Sequence, residues 1–303
     1  GKPEYVDTLL PSGDGVLVRV LSSSICGSDL HLIEAGWAEG RVLGHEFAGV
    51  TEDGTAVAVE PIYGCGDCGF CHDGRHSHCA GGAAIVGVSE DGGMAEYVRV
   101  PKDLVLPLPS GLDVANASLV EPLAVAVHGL RRARLQANDR VLIIGAGPIG
   151  LMAAAVLQAR GVAVDLIARH AHQQRAAELL GASPDAGDGY DLVVDAVGSS
   201  ESLADAVQRI KPLGRIAMLG SFWQPVQLGM GFCGKEIEII AATTYQRCVS
   251  DCWEFREAAE MLAEHPHIAD ALVTHRYPLE AATEAFAAAR DRKSGAIKVL
   301  FEP

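Results

Sequence analysis

The chain has 303 residues, of which 49% are hydrophobic, and its 39 acidic and 24 Lys and Arg side chains give a net charge of −15. This length and composition allow two domains with a sizeable core, whereas the charge argues against nucleic acid or an anionic membrane surface as the main partner. We see no apolar leader in the opening "GKPEYVDTLL", so the eight cysteines indicate reduced thiols or metal sites in a cytoplasmic protein.

The first third of the chain has the pattern of a β-rich domain. Residues 14–112 are rich in Val and Gly and are broken by short turns, as in "GVLVRVLSS" and "GGMAEYVRVPKDLVLPLP". Short apolar runs bounded by turn residues predict many short strands.

Three separated segments, "SICGSDLH", "LGHEFAG" and "LVEPLAVAVHG", carry polar side chains that could form one site. The candidates are Cys26, Ser28, Asp29, His31, His45, Glu46 and Glu121. A soft thiolate, an imidazole and a carboxylate from different segments predict an open zinc site. Each fragment alone also fits a plainer role: His45 as an interior histidine, Asp29 as a turn residue, Glu121 as a helix-entry acid.

A second group of possible ligands is the stretch "CGDCGFCHDGRHSHC". Its cysteines, spaced C-x2-C-x2-C-x7-C, are Cys65, Cys68, Cys71 and Cys79. Four thiolates this close can enclose one tetrahedral zinc with no open position, which predicts a structural metal. An iron–sulfur cluster prefers a shorter last spacing, two local disulfides need an oxidising compartment, and four free thiols are the remaining alternative. We interpret His72, His76 and His78 as solvated, and Cys233, Cys248 and Cys252 as buried apolar residues.

The pattern changes near Asp113. Five apolar runs, from "RVLIIGAG" to "IEIIAATT", alternate with alanine-rich helical stretches, and the tail returns to helices and a final strand. Alternating strands and helices predict a parallel doubly wound sheet.

The segment "VLIIGAGPIG" has the glycine pattern of a dinucleotide-binding turn. Gly145, Gly147 and Gly150 follow an apolar run and open an alanine-rich helix, which favours strand, turn and helix over a membrane span from Val141 to Ala159. A tight turn without a ligand is the alternative.

The position that usually carries a ribose-binding carboxylate in NAD enzymes falls on Ala168. Arg169, His170 and Arg175 follow, and their guanidiniums could clamp a 2′-phosphate that no carboxylate repels. We therefore favour NADP, with NAD as the alternative in which Arg169 only stacks on adenine. Asp165 lies too early, in the middle of the strand, to bind the ribose.

Taken together, these motifs resemble one family over nearly the whole chain. "ICGSDLH", "GHEFAG", the four-cysteine loop, "EPLAVAVHG", "VLIIGAGPIG" and the closing "SGAIKVLFEP" stand in the order found in zinc-dependent medium-chain alcohol dehydrogenases, in particular the polyol (sorbitol) and secondary-alcohol branch. One departure is the short "VTEDGT", where the family has a longer hairpin.

The resemblance implies an α/β fold with two domains. A GroES-like, mostly-β catalytic domain would comprise residues 1–125 and 246–303, with a structural zinc lobe at 63–80. A doubly wound, parallel-sheet Rossmann domain would comprise residues 126–245.

The resemblance also implies roles for single residues. Cys26 and His45 would bind a catalytic zinc, with Glu46 and Glu121 as further ligands, and Ser28 and His31 would relay the substrate proton. The implied cofactor-binding residues are Gly145, Gly147, Pro148, Ile149, Gly150, Arg169, His170, Arg175 and Leu219. Trp37 and Phe222 would line the substrate cleft.

We therefore expect an oxidoreductase with two zinc ions per chain, which transfers hydride between NADP and a secondary alcohol, polyol or cyclitol, or the matching ketone. An NAD-dependent sugar, amino-alcohol or threonine dehydrogenase is the alternative within the fold, and a catalytically silent zinc-binding scaffold is the alternative outside enzymes. By resemblance we expect a homodimer or homotetramer with a small-molecule substrate, no nucleic acid and no membrane partner.

Overall fold

The computed structural model describes residues 3–247, 253–291 and 293–303. The chain forms two compact units, Gly1–Glu121 with Gln246–Pro303 and Pro122–Tyr245. We call the first the β-rich unit and the second the parallel-sheet unit. The boundaries expected from the sequence lie after residues 125 and 245.

The amino-terminal part of the β-rich unit consists of short strands and two helices. Its elements are β1 (Val16–Ser24), α1 (Gly27–Glu34), β2 (Phe47–Thr51), β3 (Ala56–Val59), β4 (Ile62–Tyr63), α2 (Gly69–His72), β5 (Ala84–Ile85), β6 (Tyr97–Val100) and β7 (Val105–Pro107). The shortened loop 52–55 closes a regular antiparallel hairpin in which Gly49 pairs with Val57. A Cβ atom on Gly49 would lie 2.0 Å from the Arg19 carbonyl oxygen of β1, so the close approach of β1 and β2 requires glycine here.

The parallel-sheet unit has the predicted alternation of strands and helices. Its elements are α3 (Val120–Arg132), which begins just before the unit, β8 (Val141–Ile144), α4 (Pro148–Ala159), β9 (Val164–Ile167), α5 (Ala171–Leu179), β10 (Tyr190–Asp195), α6 (Ser200–Arg209), β11 (Ile210–Met218), α7 (Met230–Gly234) and β12 (Glu238–Ala241). All strand pairs are parallel, in the order β12-β11-β10-β8-β9. The order reverses between β8 and β10, which is where ligands bind in such sheets.

Burial explains why these segments become strands. All four residues of β8 are buried, as expected for a strand covered on both faces. Its Leu142 packs with Val193 of β10 and Ile216 of β11 in the core.

The chain then returns to the β-rich unit. The returning elements are α8 (Glu254–Glu264), α9 (His267–Leu272), β13 (Val273–Tyr277), α10 (Ala282–Arg290) and β14 (Lys298–Phe301). They complete a seven-stranded sheet in the order β13-β14-β1-β2-β3-β7, with β6 also paired to β1. Because β14 lies beside β1, with Ser24 opposite Leu300, the last strand comes close to the polar segment that follows β1.

Two expectations concern apolar burial. In the described ranges, no helix has the length and apolarity needed to cross a bilayer, and the apolar stretch Val141–Ala159 divides into β8 and α4 as predicted. The prediction that Cys233 is buried is wrong, because it lies in the short surface helix α7, which buries no side chain. Cys248 and Cys252 lie outside the described residues.

The cysteine-rich lobe at residues 63–80 is docked on the returning chain. The Arg247 backbone N–H donates to the Gly74 carbonyl at 2.9 Å, and Arg247 Nε donates to Glu60 Oε2 at 2.7 Å. Trp253 Nε1 also donates to that oxygen, at 2.8 Å. Burial raises the pKa of Glu60 to about 6, although Arg247 and Trp253 act in the opposite direction.

We expect Gly74→Ala to undock this lobe. Gly74 has φ +72°, and a Cβ atom there would lie 1.3 Å from the Arg247 carbonyl oxygen. Gly82→Ala is the matched control, because Gly82 has φ +90° with nothing within 4 Å of its Cβ position. Left-handed backbone alone costs about 1 kcal/mol, and the collision should cost about 2 kcal/mol more. Denaturant unfolding measures both variants, and equal losses would contradict the docking.

Candidate active site

Neighbouring strands bring the first group of possible ligands together. Cys26 follows β1 and begins α1, whereas His45 and Glu46 directly precede β2. Since β1 and β2 are hydrogen-bonded neighbours, with Ser23 opposite Phe47, these segments meet at one end of the sheet. The ligand atoms of Cys26, His45 and Glu46 lie within 4.8 Å of one another. A thiolate, an imidazole and a carboxylate at this separation fit one zinc ion.

We call Cys26, His45 and Glu46 the Cys26 group. Asp29 orients two of its members, Cys26 and His45. Its Oδ2 accepts a hydrogen bond from the Cys26 backbone N–H at 2.9 Å, and its Oδ1 lies 3.4 Å from His45 Nδ1. Nε2 is therefore the His45 nitrogen left for a cation, and Ser28 Oγ lies 3.5 Å from it. Burial lowers the pKa of His45, but Asp29 and Cys26 raise it well above its usual value. The same negative surroundings favour a bound cation.

Glu46 is completely buried, at 0% exposure. Its Oε2 accepts one hydrogen bond from Ser24 Oγ and lies 2.5 Å from the Lys298 ammonium nitrogen. Its Oε1 is buried without a hydrogen-bond partner in the described chain. A buried carboxylate oxygen with free lone pairs is costly unless a cation satisfies it, so Oε1 suits a metal ligand.

Lys298 is the charged partner of this carboxylate. It is only 2% exposed, and its ammonium also donates to the Ile25 carbonyl at 3.2 Å. Burial lowers the pKa of Lys298, but the negative charges of Glu46, then Cys26 and Glu121, outweigh burial. The pKa is therefore raised above its usual value, and the side chain stays charged.

Glu121 differs from Glu46 in its position. It is buried in the first turn of α3, but it does not belong to the set whose ligand atoms lie within 4.8 Å among the described residues. Its charge nevertheless acts on Lys298. Direct metal binding by Glu121 therefore stays a prediction.

The two predicted relay residues share α1. Ser28 lies beside His45, as described above, and His31 is three residues further along, on the same side of the helix. The His31 side chain is 41% exposed and its Nδ1 lies 3.7 Å from Glu34 Oε2. The Ser28 hydroxyl thus lies beside the Cys26 group, and the His31 imidazole is in contact with solvent.

The four thiols of the cysteine-rich lobe converge as predicted from their spacing. The sulfurs of Cys65, Cys68, Cys71 and Cys79 lie within 4.8 Å of one another, with Cys68 to Cys71 at 3.5 Å and Cys68 to Cys79 at 4.0 Å. Tetrahedral zinc with bonds of about 2.3 Å separates its sulfurs by about 3.8 Å. A Cβ atom on Gly64 would lie 2.5 Å from Cys71 Sγ, so the cradle requires glycine.

The neighbouring histidines do not join this set. Among the described residues the converging group consists of the four cysteines. His72 and His78 are exposed, whereas His76 is half-buried.

In the parallel-sheet unit, the three glycines of the turn have different local environments. Gly145 has φ +100°. A Cβ atom on Gly150 would lie 1.9 Å from the Gly145 carbonyl oxygen, whereas one on Gly147 would meet nothing within 4 Å. The first glycine makes the turn, the third allows close packing and the second leaves the helix start open, which is what a pyrophosphate requires. Pro148 begins α4, and the backbone N–H groups of Ile149 and Gly150 follow it at the open helix end.

Asp195, which the sequence analysis missed, holds the loops beside this turn. Its Oδ1 accepts from the backbone N–H groups of Val197 at 2.9 Å and Gly198 at 3.0 Å. Its Oδ2 accepts from Ser202 Oγ at 2.8 Å. The Leu219 N–H donates to the Asp195 carbonyl at 2.9 Å. The loops after β10 and β11 are thereby fixed next to Gly145.

The end of β9 matches the register assumed from the sequence. The strand ends at Ile167, and Ala168 follows directly. Asp165 lies within the strand and accepts a hydrogen bond from Tyr190 Oη at 2.6 Å. Arg169 and Arg175 are exposed, whereas His170 is half-buried. No carboxylate therefore stands directly after this strand.

Trp37, Phe222 and Leu219, the remaining predicted site residues, differ in exposure and packing. Trp37 is 73% exposed and Phe222 is 40% exposed, so their assignment to the cleft stays a prediction. The Leu219 side chain packs against α3, since a Cβ atom on Gly129 would lie 2.6 Å from it.

Sequence reasoning missed Lys298 and Asp195. Lys298 stands in the segment "SGAIKVLFEP", where a lone charge in an apolar strand was the available signal. Asp195 ends the apolar run "YDLVVD" at the carboxyl end of a predicted strand, which is a common place for functional side chains.

Comparison with known families agrees with this architecture. Residues 12–110 match the family model described as the alcohol dehydrogenase GroES-like domain, and residues 114–302 match the glucose dehydrogenase C-terminus. These matches define the class of the protein as a two-domain dehydrogenase.

Curated relatives cover nearly the whole chain. L-galactonate-5-dehydrogenase of Escherichia coli K12 is 32% identical, covering 91% of this chain and 88% of that protein. L-threonine 3-dehydrogenase of Pyrococcus furiosus is 32% identical, covering 99% and 96%. Sorbitol dehydrogenase of Bacillus subtilis is 29% identical, covering 96% and 90%. The chain belongs to the zinc-dependent medium-chain alcohol dehydrogenase family, in its polyol branch, and is an oxidoreductase.

Solved structures give the same result. A protein of Sinorhizobium meliloti 1021 described as a zinc-binding dehydrogenase, bound to NADP, has a TM-score of 0.85 and 28% identity, covering 98% of this chain and 94% of that one. A protein of Escherichia coli CFT073 described as a short chain alcohol dehydrogenase, complexed with NADH, has a TM-score of 0.88 and 28% identity, covering 100% and 97%.

We expect Lys298→Met to destabilise the protein in a metal-dependent way. Removing one partner of a buried ion pair costs about 3 to 5 kcal/mol, and a divalent cation bound to Glu46 should recover part of it. Urea unfolding with added zinc and with a chelator measures the difference, and Lys298→Arg is the control that keeps the charge. A Lys298→Met variant as stable as the wild type in chelator would contradict the pairing.

We expect Cys26→Ser and Cys68→Ser to lose different metal ions. Cys26→Ser should lower bound zinc by about one ion at the smaller cost in stability, because the substitution removes a buried negative charge together with the cation. Cys68→Ser should also lose one ion but cost about 3 kcal/mol or more, since a closed site contributes folding energy. Metal analysis with thermal unfolding measures both, and equal stability of the two variants would contradict the assignment.

Proposed function

We propose that this protein is a zinc-dependent dehydrogenase that transfers hydride between NADP and a secondary alcohol, polyol or cyclitol, and that the reverse reaction reduces the matching ketone. The observation that carries the proposal is the convergence of Cys26, His45 and Glu46, with the Ser28 hydroxyl 3.5 Å from His45 Nε2. A scaffold that had lost catalysis would have no need to keep a proton acceptor beside such a group.

The metal of the Cys26 group would be held by Cys26, His45 and Glu46, with Glu121 as a further candidate. When bound, zinc supplies Lewis acidity toward the substrate oxygen, and the nicotinamide supplies hydride exchange. Ser28 Oγ accepts the proton of the substrate hydroxyl. His31, whose side chain is partly exposed, exchanges a proton with solvent.

The second zinc of the proposal belongs to the cysteine-rich lobe. Four thiolates leave it no open position, so its role is to hold the lobe in shape. The two sets of converging ligand atoms support the proposal of two ions per chain.

The preference for NADP is supported by the residues after β9. Ala168 stands where a ribose-binding carboxylate would exclude a 2′-phosphate, and Arg169 and Arg175 are exposed nearby. The relative solved with NADP supports the same cofactor. NAD is the alternative, favoured by the relative solved with NADH.

The substrate class is supported by the relatives' names. L-galactonate-5-dehydrogenase and sorbitol dehydrogenase act on polyhydroxylated compounds by name, which supports a polyol or a related secondary alcohol. L-threonine 3-dehydrogenase supports an amino-alcohol as the alternative.

Assembly into a homodimer or homotetramer belongs to the same proposal. In the described sheet, β12 is an edge strand paired only to β11. Leu213, Leu228 and Met230 are exposed in the same unit, and a second copy that pairs with the edge would cover such side chains. Reduced thiols further support a cytoplasmic protein.

Cofactor titration and a substrate screen test the proposal. We expect NADP to bind at least about tenfold tighter than NAD, because a 2′-phosphate held by guanidiniums gains about 1.4 kcal/mol or more. We also expect turnover of polyols, cyclitols or their ketones. Cys26→Ser should abolish turnover and leave cofactor binding nearly unchanged.

Three results would contradict this proposal. NAD bound more than about tenfold tighter than NADP would reject the role of Arg169. Full activity of Cys26→Ser would reject the metal assignment. A protein that binds a single zinc at the cysteine-rich lobe and turns over no alcohol with either cofactor would be the silent scaffold.

A further inference from the structure

A stacked pair of histidines lies at the start of α5. The imidazole rings of His170 and His172 are 5.5 Å apart between centroids and nearly parallel, with an angle of 9° between their planes. His172 Nε2 is buried and has no hydrogen-bond partner among the residues that the structure describes. The pair follows Ala168, where the ribose of a bound dinucleotide is expected.

The charges around His172 are mainly positive. Burial lowers the pKa of His172, and the neighbouring charges of His170 and Arg175 lower it further. The helix that packs on α5, α4, carries no charged side chain between Pro148 and Ala159. Arg169 is the next cation. Hydrogen bonds lower the pKa of Glu201 in the first turn of α6, and the charge of Arg169 lowers it further. Glu178 is the acidic residue of α5 itself, near its end.

These surroundings determine when the pair holds a proton. Burial, and then the charges of His170 and Arg175, oppose protonation of His172 while no anion is present. A dianionic phosphate next to the pair would reverse this balance, because it attracts positive charge and accepts charge-assisted hydrogen bonds.

We propose that the His170–His172 pair binds the 2′-phosphate of NADP together with a proton, so that the preference for NADP over NAD decreases as pH rises. This inference rests on the NADP preference proposed above, and it adds His172 as a residue that determines cofactor specificity. NAD lacks the 2′-phosphate, so its binding should take up no proton at this pair.

The direction of the pH dependence follows from linkage. The pKa of His172 is lowered in the free protein, and a bound phosphate would raise it, so a proton should be taken up on binding at pH values between the two pKa values. Within this window the Kd for NADP should rise by up to about tenfold per pH unit for one proton. Below about pH 6 the phosphate itself becomes protonated and binding weakens again.

The experiment is calorimetric titration with 2′,5′-ADP and 5′-AMP, followed by NADP and NAD. Each is measured at pH 7 in two buffers of different ionisation enthalpy, which gives the number of protons taken up. The Kd is then measured from pH 6 to pH 8.5. The test variant is His170→Asn with His172→Gln, in which Asn keeps a residue suited to the helix start. The control is His265→Gln with His267→Gln, a histidine pair of the β-rich unit whose rings are 5.7 Å apart.

We expect the wild type and the control to take up a fraction of one proton with 2′,5′-ADP and NADP, and none with 5′-AMP or NAD. The test variant should take up none and should bind 2′,5′-ADP about tenfold more weakly at pH 6, with little difference from wild type at pH 8.5. Unchanged thermal unfolding would show that the variant is folded.

The outcomes separate the two proposals. Tight 2′,5′-ADP binding without proton uptake, or uptake that persists in the test variant, would overturn the inference while the NADP preference stands. Proton-linked 2′,5′-ADP binding in a protein that binds NAD tighter than NADP would reject the NADP preference and retain the pair. No difference between 2′,5′-ADP and 5′-AMP would reject both.

Discussion

The buried charge between β1, β2 and β14 is the constraint on which the catalytic account depends. Cys26, Asp29, Glu46 and Glu121 can each carry a negative charge there, and the ammonium of Lys298 lies among them. Taking charges out of water costs several kcal/mol per ion unless they are paired. The ammonium balances only one of these four charges, and a divalent cation held by Cys26, His45 and Glu46 would balance two more. A cation bound here would therefore contribute to the electrostatic balance of the sheet end as well as to the proposed chemistry.

The two units contribute different parts of the reaction. In the β-rich unit, Asp29 fixes the orientation of His45 and leaves Nε2 and the Ser28 hydroxyl on one side. In the parallel-sheet unit, the glycine turn leaves the start of α4 open, and Asp195 holds the adjoining loops. Preorganised side chains and backbone amides of this kind would hold a metal ion and a dinucleotide in fixed positions, as hydride transfer requires.

Much of this site could be predicted from the sequence because its motifs are local. The four cysteines, the glycine turn and the segment after β9 each lie within about one loop, so spacing alone indicates their chemistry. Lys298 was missed because its partner Glu46 is remote in the chain and meets it only through sheet pairing. Burial of Cys233 was predicted from residue type, but the short helix α7 lies on the surface. His172 was missed because stacking depends on side-chain direction, which composition does not give.

Anomalous diffraction at the zinc absorption edge, from crystals of the zinc-loaded protein, tests the central claim most directly. We predict two peaks per chain: one among the four sulfurs of the cysteine-rich lobe, and one about 2.3 Å from Cys26 Sγ and about 2.0 Å from His45 Nε2. A filled cysteine-rich lobe with no peak between Cys26 and His45 would contradict the account.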